Sequence, residues 1–147
     1  LLYKKKVRLE LKKADLIIPS LDGATSGVFT KINKQYPGIG FQKVIQGLIA
    51  LRKEFKGKIW LEIMLIKGIN DSALQAQAFK KIIQKIKPDK VQLNLPVRPS
   101  RLKVNLPDSK KVKMFKRILG KSAKVVASFP NQKTGDLNFL KKRPVLS

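Results

Sequence analysis

The chain contains neither cysteine nor histidine. The first absence removes disulfides, thiolate nucleophiles and thiolate ligands for zinc or iron–sulfur clusters; the second removes the side chain best suited to proton transfer near neutrality. Acid is scarce as well. Nine Asp and Glu stand against 33 Lys and Arg, a formal charge of +24. Catalysis by this chain alone must therefore rest on carboxylates, lysine, tyrosine or an oxygen-ligated metal. No apolar run approaches the roughly 18 to 20 residues of a membrane span, and the opening LLYKKKVRLELKK lacks the apolar centre of a signal peptide. A soluble cytoplasmic protein is the expectation.

At 147 residues with 43% hydrophobic content the chain can bury the core of one domain, whereas a closed eight-stranded α/β barrel needs about 250 residues. Three stretches share one design, an apolar strand-like run that breaks into small and polar residues where it ends: ADLIIPSLD at 14–22, WLEIMLIKGIND at 60–71 and VQLNLPVRPS at 91–100. Helical periodicity lies between them. Ser26 is placed to cap a short helix over 26–34, and Tyr36-Pro37-Gly38 breaks the chain. Phe41, Val44, Ile45, Leu48, Leu51 and Phe55 mark one helix, and Phe79, Ile82, Ile83 and Ile86 another that starts at Asp71 or Ser72 and stops at Pro88. Val112, Phe115, Ile118 and Leu119 mark a further helix ending at Gly120, before a strand over 123–128. Strand and helix alternating four times predict a parallel sheet flanked by helices, satisfied by half of a β/α barrel or by a small doubly wound sheet.

Alternation within the strands separates the two. Ile59, Leu61, Ile63 and Leu65 share one face, leaving Trp60, Glu62, Met64 and Ile66 on the other; Val91, Leu93 and Leu95 alternate with Gln92 and Asn94. A doubly wound sheet, covered by helices on both faces, would bury a carboxylate and two amides at a cost, whereas a barrel strand has one face on a lumen that a polar ligand can fill. Ligands of parallel α/β sheets gather at the carboxyl ends of the strands, where the polar residues of all three stretches fall.

The succession PSLDG at 19–23, WLEIMLIKGIND and VQLNLPVRP, with these helices between, resembles the C-terminal half of the core domain of radical S-adenosylmethionine enzymes. The likeness is to the Fe-S oxidoreductase branch, akin to activating enzymes and to the wyosine-forming tRNA enzymes, and covers roughly residues 7 to 128. It implies a partial β6/α6 barrel of which this chain supplies the fourth, fifth and sixth strands plus a following helix and strand. In such enzymes a 4Fe-4S cluster on a CxxxCxxC loop cleaves S-adenosylmethionine reductively to a 5'-deoxyadenosyl radical. That loop is missing here, so the resemblance implies a segment whose cluster-holding N-terminal half lies elsewhere, inactive in isolation. The barrel segment is expected over 1–130. A linker and the start of a helical module are expected over 131–147, where Leu137, Phe139 and Leu140 await a partner.

Carried over position by position, the resemblance places Ser20 and Asp22 against the ribose and methionine portions of the cofactor, and Glu62 in the lumen. Asn70 and Asn94 fall on the adenine side, Asn94 with backbone groups of Leu95 and Pro96. Arg98 lies beyond the strand end, where a guanidinium suits a substrate carboxylate or phosphate. Four of these have a plainer reading. Asp22-Gly23 and Asn70 are good turn residues, Glu62 could pair with a buried cation, and Arg98 could be a solvated loop residue. The positive charge makes RNA, tRNA included, a further partner, although much of it lies on solvent faces of helices and no known RNA-binding module accompanies it.

Overall fold

The computed structural model describes residues 2–33, 39–96 and 105–126. The elements run α1 Lys5–Leu11, β1 Leu16–Ile17, α2 Ser26–Asn33, α3 Phe41–Glu54, β2 Lys58–Met64, α4 Ala73–Ile86, β3 Lys90–Asn94, α5 Ser109–Leu119 and β4 Ala123–Val125. Neighbouring strands are parallel and stand in chain order, β1-β2-β3-β4. Each strand is laid beside its predecessor without the reversal that marks a doubly wound sheet. The fold is thus a parallel β/α half-barrel.

One face of the sheet carries the core. Leu61, Ile63 and Leu65 of β2 and its extension join Val91, Leu93 and Leu95 of the next strand against Leu48 of α3, Phe79 and Ile86 of α4, and Phe115 of α5, all buried. Phe79 and Phe115 meet edge-on with ring centroids 6.1 Å apart, which locks α4 to α5. A smaller cluster of Leu51, Phe55 and Ile59 seats α1 through Leu11 on the same side.

Ser72 is the residue that caps α4, its hydroxyl accepting from the Gln75 amide at 3.2 Å; Asp71 is used elsewhere. Ser26 is the first residue of α2 itself rather than a cap flanking it. The strand-like run at 14–22 forms a strand only over Leu16–Ile17 with a single bridge from Ser20 to Glu62, because Pro19 has no amide to donate and interrupts the ladder. At the amino end, α1 was not foreseen; Arg8 holds it down by donating to both carboxylate oxygens of Glu54, at 3.0 and 3.1 Å, and to the Leu2 carbonyl. The domain boundary expected near residue 130 and the helical module over 131–147 lie outside the described residues. No helix among the described residues is long and apolar enough to cross a membrane.

Gly23, directly after Asp22, is required by close approach. A Cβ there would fall 2.4 Å from the Phe29 amide nitrogen and 2.5 Å from its Cα, both backbone atoms that cannot move aside. Gly27, inside α2, has nothing within 4 Å of such a Cβ. Gly23→Ala is therefore expected to destabilise the fold by about 1–3 kcal/mol through overpacking. Gly27→Ala is expected to stabilise it by about 0.5–1 kcal/mol through helix propensity. Urea midpoints of the two variants should move in opposite directions.

Candidate functional site

Pleating sends alternate residues of each strand to the face away from the helices. In register across the sheet, that face carries Ser20 beside Glu62, Glu62 beside Gln92, Gln92 beside Lys124, and Met64 beside Asn94. Glu62 and Asn94 are half-buried, Gln92 is buried, and Ser20 is exposed. The three amide and acid side chains read from the strand alternation as lumen-facing therefore stand on that face. Leu16 and Ile18, 38% and 46% exposed, leave apolar surface uncovered on β1.

Asp22 closes the carboxyl end of this face. Its Oδ1 accepts from the Met64 amide at 2.8 Å, so the side chain reaches from the segment after β1 to the last residue of β2. Burial pushes its carboxyl above the ordinary value; the Met64 hydrogen bond works against the rise and the nearby charge of Glu62 adds to it. These carboxylates are close enough to feel each other, and among the described residues neither is paired with a cation. Of the other described acids Glu10, Glu54, Asp71, Asp89 and Asp108 are paired, and Asp15, which is exposed, is not. In a chain where cations outnumber acids 33 to 9, two neighbouring, partly buried carboxylates with no counter-ion among the described residues are the distinctive feature of this surface.

The loop after β2 is held by Asn70, which is fully buried. Its Nδ2 donates to the carbonyls of Asp22 and Met64, both at 2.7 Å, and its Oδ1 accepts from the Ile66 amide at 2.7 Å. Both donor hydrogens are spent on backbone, so of its two readings the turn-building one is correct and the adenine contact is withdrawn. Asp71, also buried, accepts from the Gly68 amide at 3.0 Å and from Lys111 of α5 at 2.9 Å.

Two residues of this region were missed in the sequence. Lys111 is one; Gln75 is the other, buried on the inner stripe of α4, where its Oε1 accepts from the Ala24 amide and its Nε2 donates to the Thr25 hydroxyl, each at 3.3 Å. A polar residue four before Phe79, on the stripe that runs through Ile82 and Ile86, was the available signal. Arg98 lies outside the described residues.

Comparison with solved structures decides what this arrangement resembles. A domain of pyruvate-formate lyase-activating enzyme from Bacteroides vulgatus superposes with a TM-score of 0.69 at 16% identity, covering 86% of this chain and 77% of that one. A radical SAM methyltransferase from Sphaerobacter thermophilus superposes at 0.65 with 20% identity, over 85% of this chain and 37% of that one. The fold is that of radical SAM enzymes.

In sequence, the chain is 32% identical over 103 residues to a UPF0026 protein of Helicobacter pylori, and 48% identical over 93 residues to a protein of Brachyspira hyodysenteriae named GTPase Obg. The chain spans 33% of the length of the first and 14% of the second. No protein-family model matches it. A GTPase reading does not carry over. The sequence has no G-x-x-x-x-G-K-[ST] motif, and its one Gly-Lys-Ser, at 120–122, leads from α5 into β4, whereas a phosphate-binding loop leads from strand to helix.

Two stability predictions follow from the geometry. Asn70→Ala strands three backbone groups in a buried site and is expected to cost about 3 kcal/mol or more, at roughly 1–3 kcal/mol for each group left unsatisfied; urea denaturation measures it. Asp22→Asn keeps an acceptor for the Met64 amide and removes the buried charge. Because the folded carboxyl binds its proton more tightly than the unfolded one, Asp22 stabilises at acid pH and loses that contribution as pH rises through the raised folded value. The asparagine variant should gain stability over the parent at pH 7, and the gain should vanish in acid.

Proposed function

We propose that this chain forms the S-adenosylmethionine- and substrate-contacting segment of a radical SAM Fe-S oxidoreductase. The observation that carries the proposal is the couple of Asp22 and Glu62, without a paired cation among the described residues, on the non-helical face of a radical SAM fold. The donor set suits the cofactor. A ribose diol offers two hydroxyl donors, and carboxylates are the strongest acceptors that side chains offer them. Ser20 adds a hydroxyl at the same end, and the Asn94 amide, with one acceptor and two donors, matches an adenine edge. Arg98, past the end of β3, is assigned to a substrate carboxylate or phosphate.

The cluster does not fit this chain. A 4Fe-4S centre needs thiolates and the sequence has none, nor do the described residues hold a metal-binding group of His, Cys, Asp or Glu. No reaction step is assigned to it here. When bound and cleaved, S-adenosylmethionine supplies the 5'-deoxyadenosyl radical that abstracts a hydrogen atom from substrate. What these residues do is bind the nucleoside, orient it and keep water from the face.

The partner is the cluster-bearing remainder of a barrel. It would add strands beside β1, the edge strand, where Leu16 and Ile18 leave apolar surface bare. The relatives are long enough to contain it, since the chain spans 33% of the Helicobacter pylori protein and 40% of a UPF0026 protein from Methanocaldococcus jannaschii.

Titration calorimetry with S-adenosylhomocysteine and S-adenosylmethionine tests the assignment. Binding is expected for both, weakened about 10- to 100-fold by Asp22→Ala, Glu62→Gln or Asn94→Ala, the loss of one hydrogen bond to a charged or buried partner. Absence of heat with either ligand, or affinities indifferent to all three substitutions, would reject it.

A further inference from the structure

The amino ends of the strands carry the opposite chemistry. Two shallow hollows of about 400 Å³ each lie there, one lined by Lys113, Lys116, Arg117 and Lys121, the other by Lys58, Trp60, Asp89, Lys90, Lys121 and Lys124. Lys121 belongs to both, so they form one continuous basic surface. Asp89, the single acid on it among the described residues, is already committed: it pairs with Arg52 and Lys58 and accepts from the Ile59 amide. Among the described residues no carboxylate pairs with Lys113, Lys116, Arg117, Lys121 or Lys124.

The course of this surface matters more than its charge. Lys113, Lys116 and Arg117 ride on α5, which packs against the helical side of the sheet. Lys90 and Lys124 stand on the other side, in the same set of alternate positions as Trp60 and Gln92. Lys121, just before β4, joins the two around the edge strand. The Lys90 ammonium lies 4.4 Å from the centre of the Trp60 ring. Its pKa is lowered by burial and by the neighbouring charge of Lys124, a repulsion that a bound anion would relieve.

We propose that this track binds the phosphate backbone of a single-stranded nucleic acid, which wraps the β4 edge from the outer side of α5 to the indole of Trp60. A duplex is too stiff to follow a path over both sides of a four-stranded sheet, and a lipid surface is too flat to touch both. A single strand bends freely, and cations flanking an aromatic ring are the usual equipment for holding one. The surface lies outside the residues assigned to the cofactor, so either assignment can fail without the other.

The test is fluorescence anisotropy of the full chain with a labelled ~12-nucleotide oligouridylate, between about 50 and 200 mM KCl. Six contacts, from Lys90, Lys113, Lys116, Arg117, Lys121 and Lys124, correspond to a slope of log K against log salt near −4, or about a 300-fold loss over that range. Combining Lys113→Glu, Lys121→Glu and Lys124→Glu should weaken binding more than about 30-fold and flatten the slope by about 2. The same three positions changed to Gln, which keep their apolar stems, should flatten it equally and guard against misfolding of the acidic variant. As control, Lys80→Glu, Lys81→Glu and Lys85→Glu on α4 remove the same charge from exposed positions and should cost less than about 3-fold. Emission of Trp60, the chain's single tryptophan, should change in step with anisotropy. The proposal is overturned by equal losses in both triple variants, by a duplex or heparin competing as well as the single strand, or by an unresponsive Trp60. A deoxyribose oligomer of matched length should bind within about 3-fold of the ribose one, because phosphate and stacking contacts do not read the 2'-hydroxyl; a larger difference in either direction would overturn the assignment to the backbone.

Discussion

The carboxyl end of the sheet depends on one buried amide. Asn70 spans three strand-end groups at 2.7 Å each: the Asp22 carbonyl after β1, the Met64 carbonyl that closes β2, and the Ile66 amide just beyond it. Parallel strands that end side by side leave carbonyls and amides no longer paired by the ladder, and burying them without partners would be expensive. A single asparagine meets that need because it offers an acceptor and two donors within one planar group. It also fixes the spacing between Asp22 and β2, and with it the distance at which Asp22 and Glu62 feel each other. Whatever the surface binds, Asn70 sets its geometry without touching it.

Around that clamp the region is tied to the helices by two more polar links. Lys111 reaches from α5 to Asp71, and Gln75 of α4 holds the chain at Ala24 and Thr25, immediately after Asp22 and Gly23. The loops at the carboxyl end are therefore braced from the helical layer. Rigid support behind is what a site needs if its side chains are to hold one geometry through binding.

Where a signal was local, the sequence was legible. The apolar steps from Phe41 to Phe55 gave α3, the stripe of Phe79, Ile82 and Ile86 gave α4, and the alternation of Ile59, Leu61 and Ile63 with Trp60 and Glu62 told both the strand and its two faces. What was not legible depended on distant partners. Arg8 has a reason to be buried only because Glu54 lies 46 residues away, and α1 has no strong periodic stripe of its own. The ladder of β1 breaks at Pro19, a residue the apolar run disguised. Asn70 could be read in two ways from sequence because a turn asparagine and a ligand-facing one look alike until the donors are counted.

The distribution of charge completes the argument. In a chain of 33 cations and 9 acids, Asp89 and Asp108 are held below the usual carboxylate range, the first chiefly by the Ile59 amide and the second by Lys67. Asp22 moves the other way: burial is the largest cause and the nearby charge of Glu62 adds to it, against the lowering hydrogen bond from the Met64 amide. Placing a lysine beside it would have been the easy remedy in so basic a chain. The described residues supply none, and a donor bound there would pull the raised carboxyl back down. Lys58, Lys90, Lys121 and Lys124 line the amino end of the same sheet, so the two ends of one half-barrel differ in the charge they present.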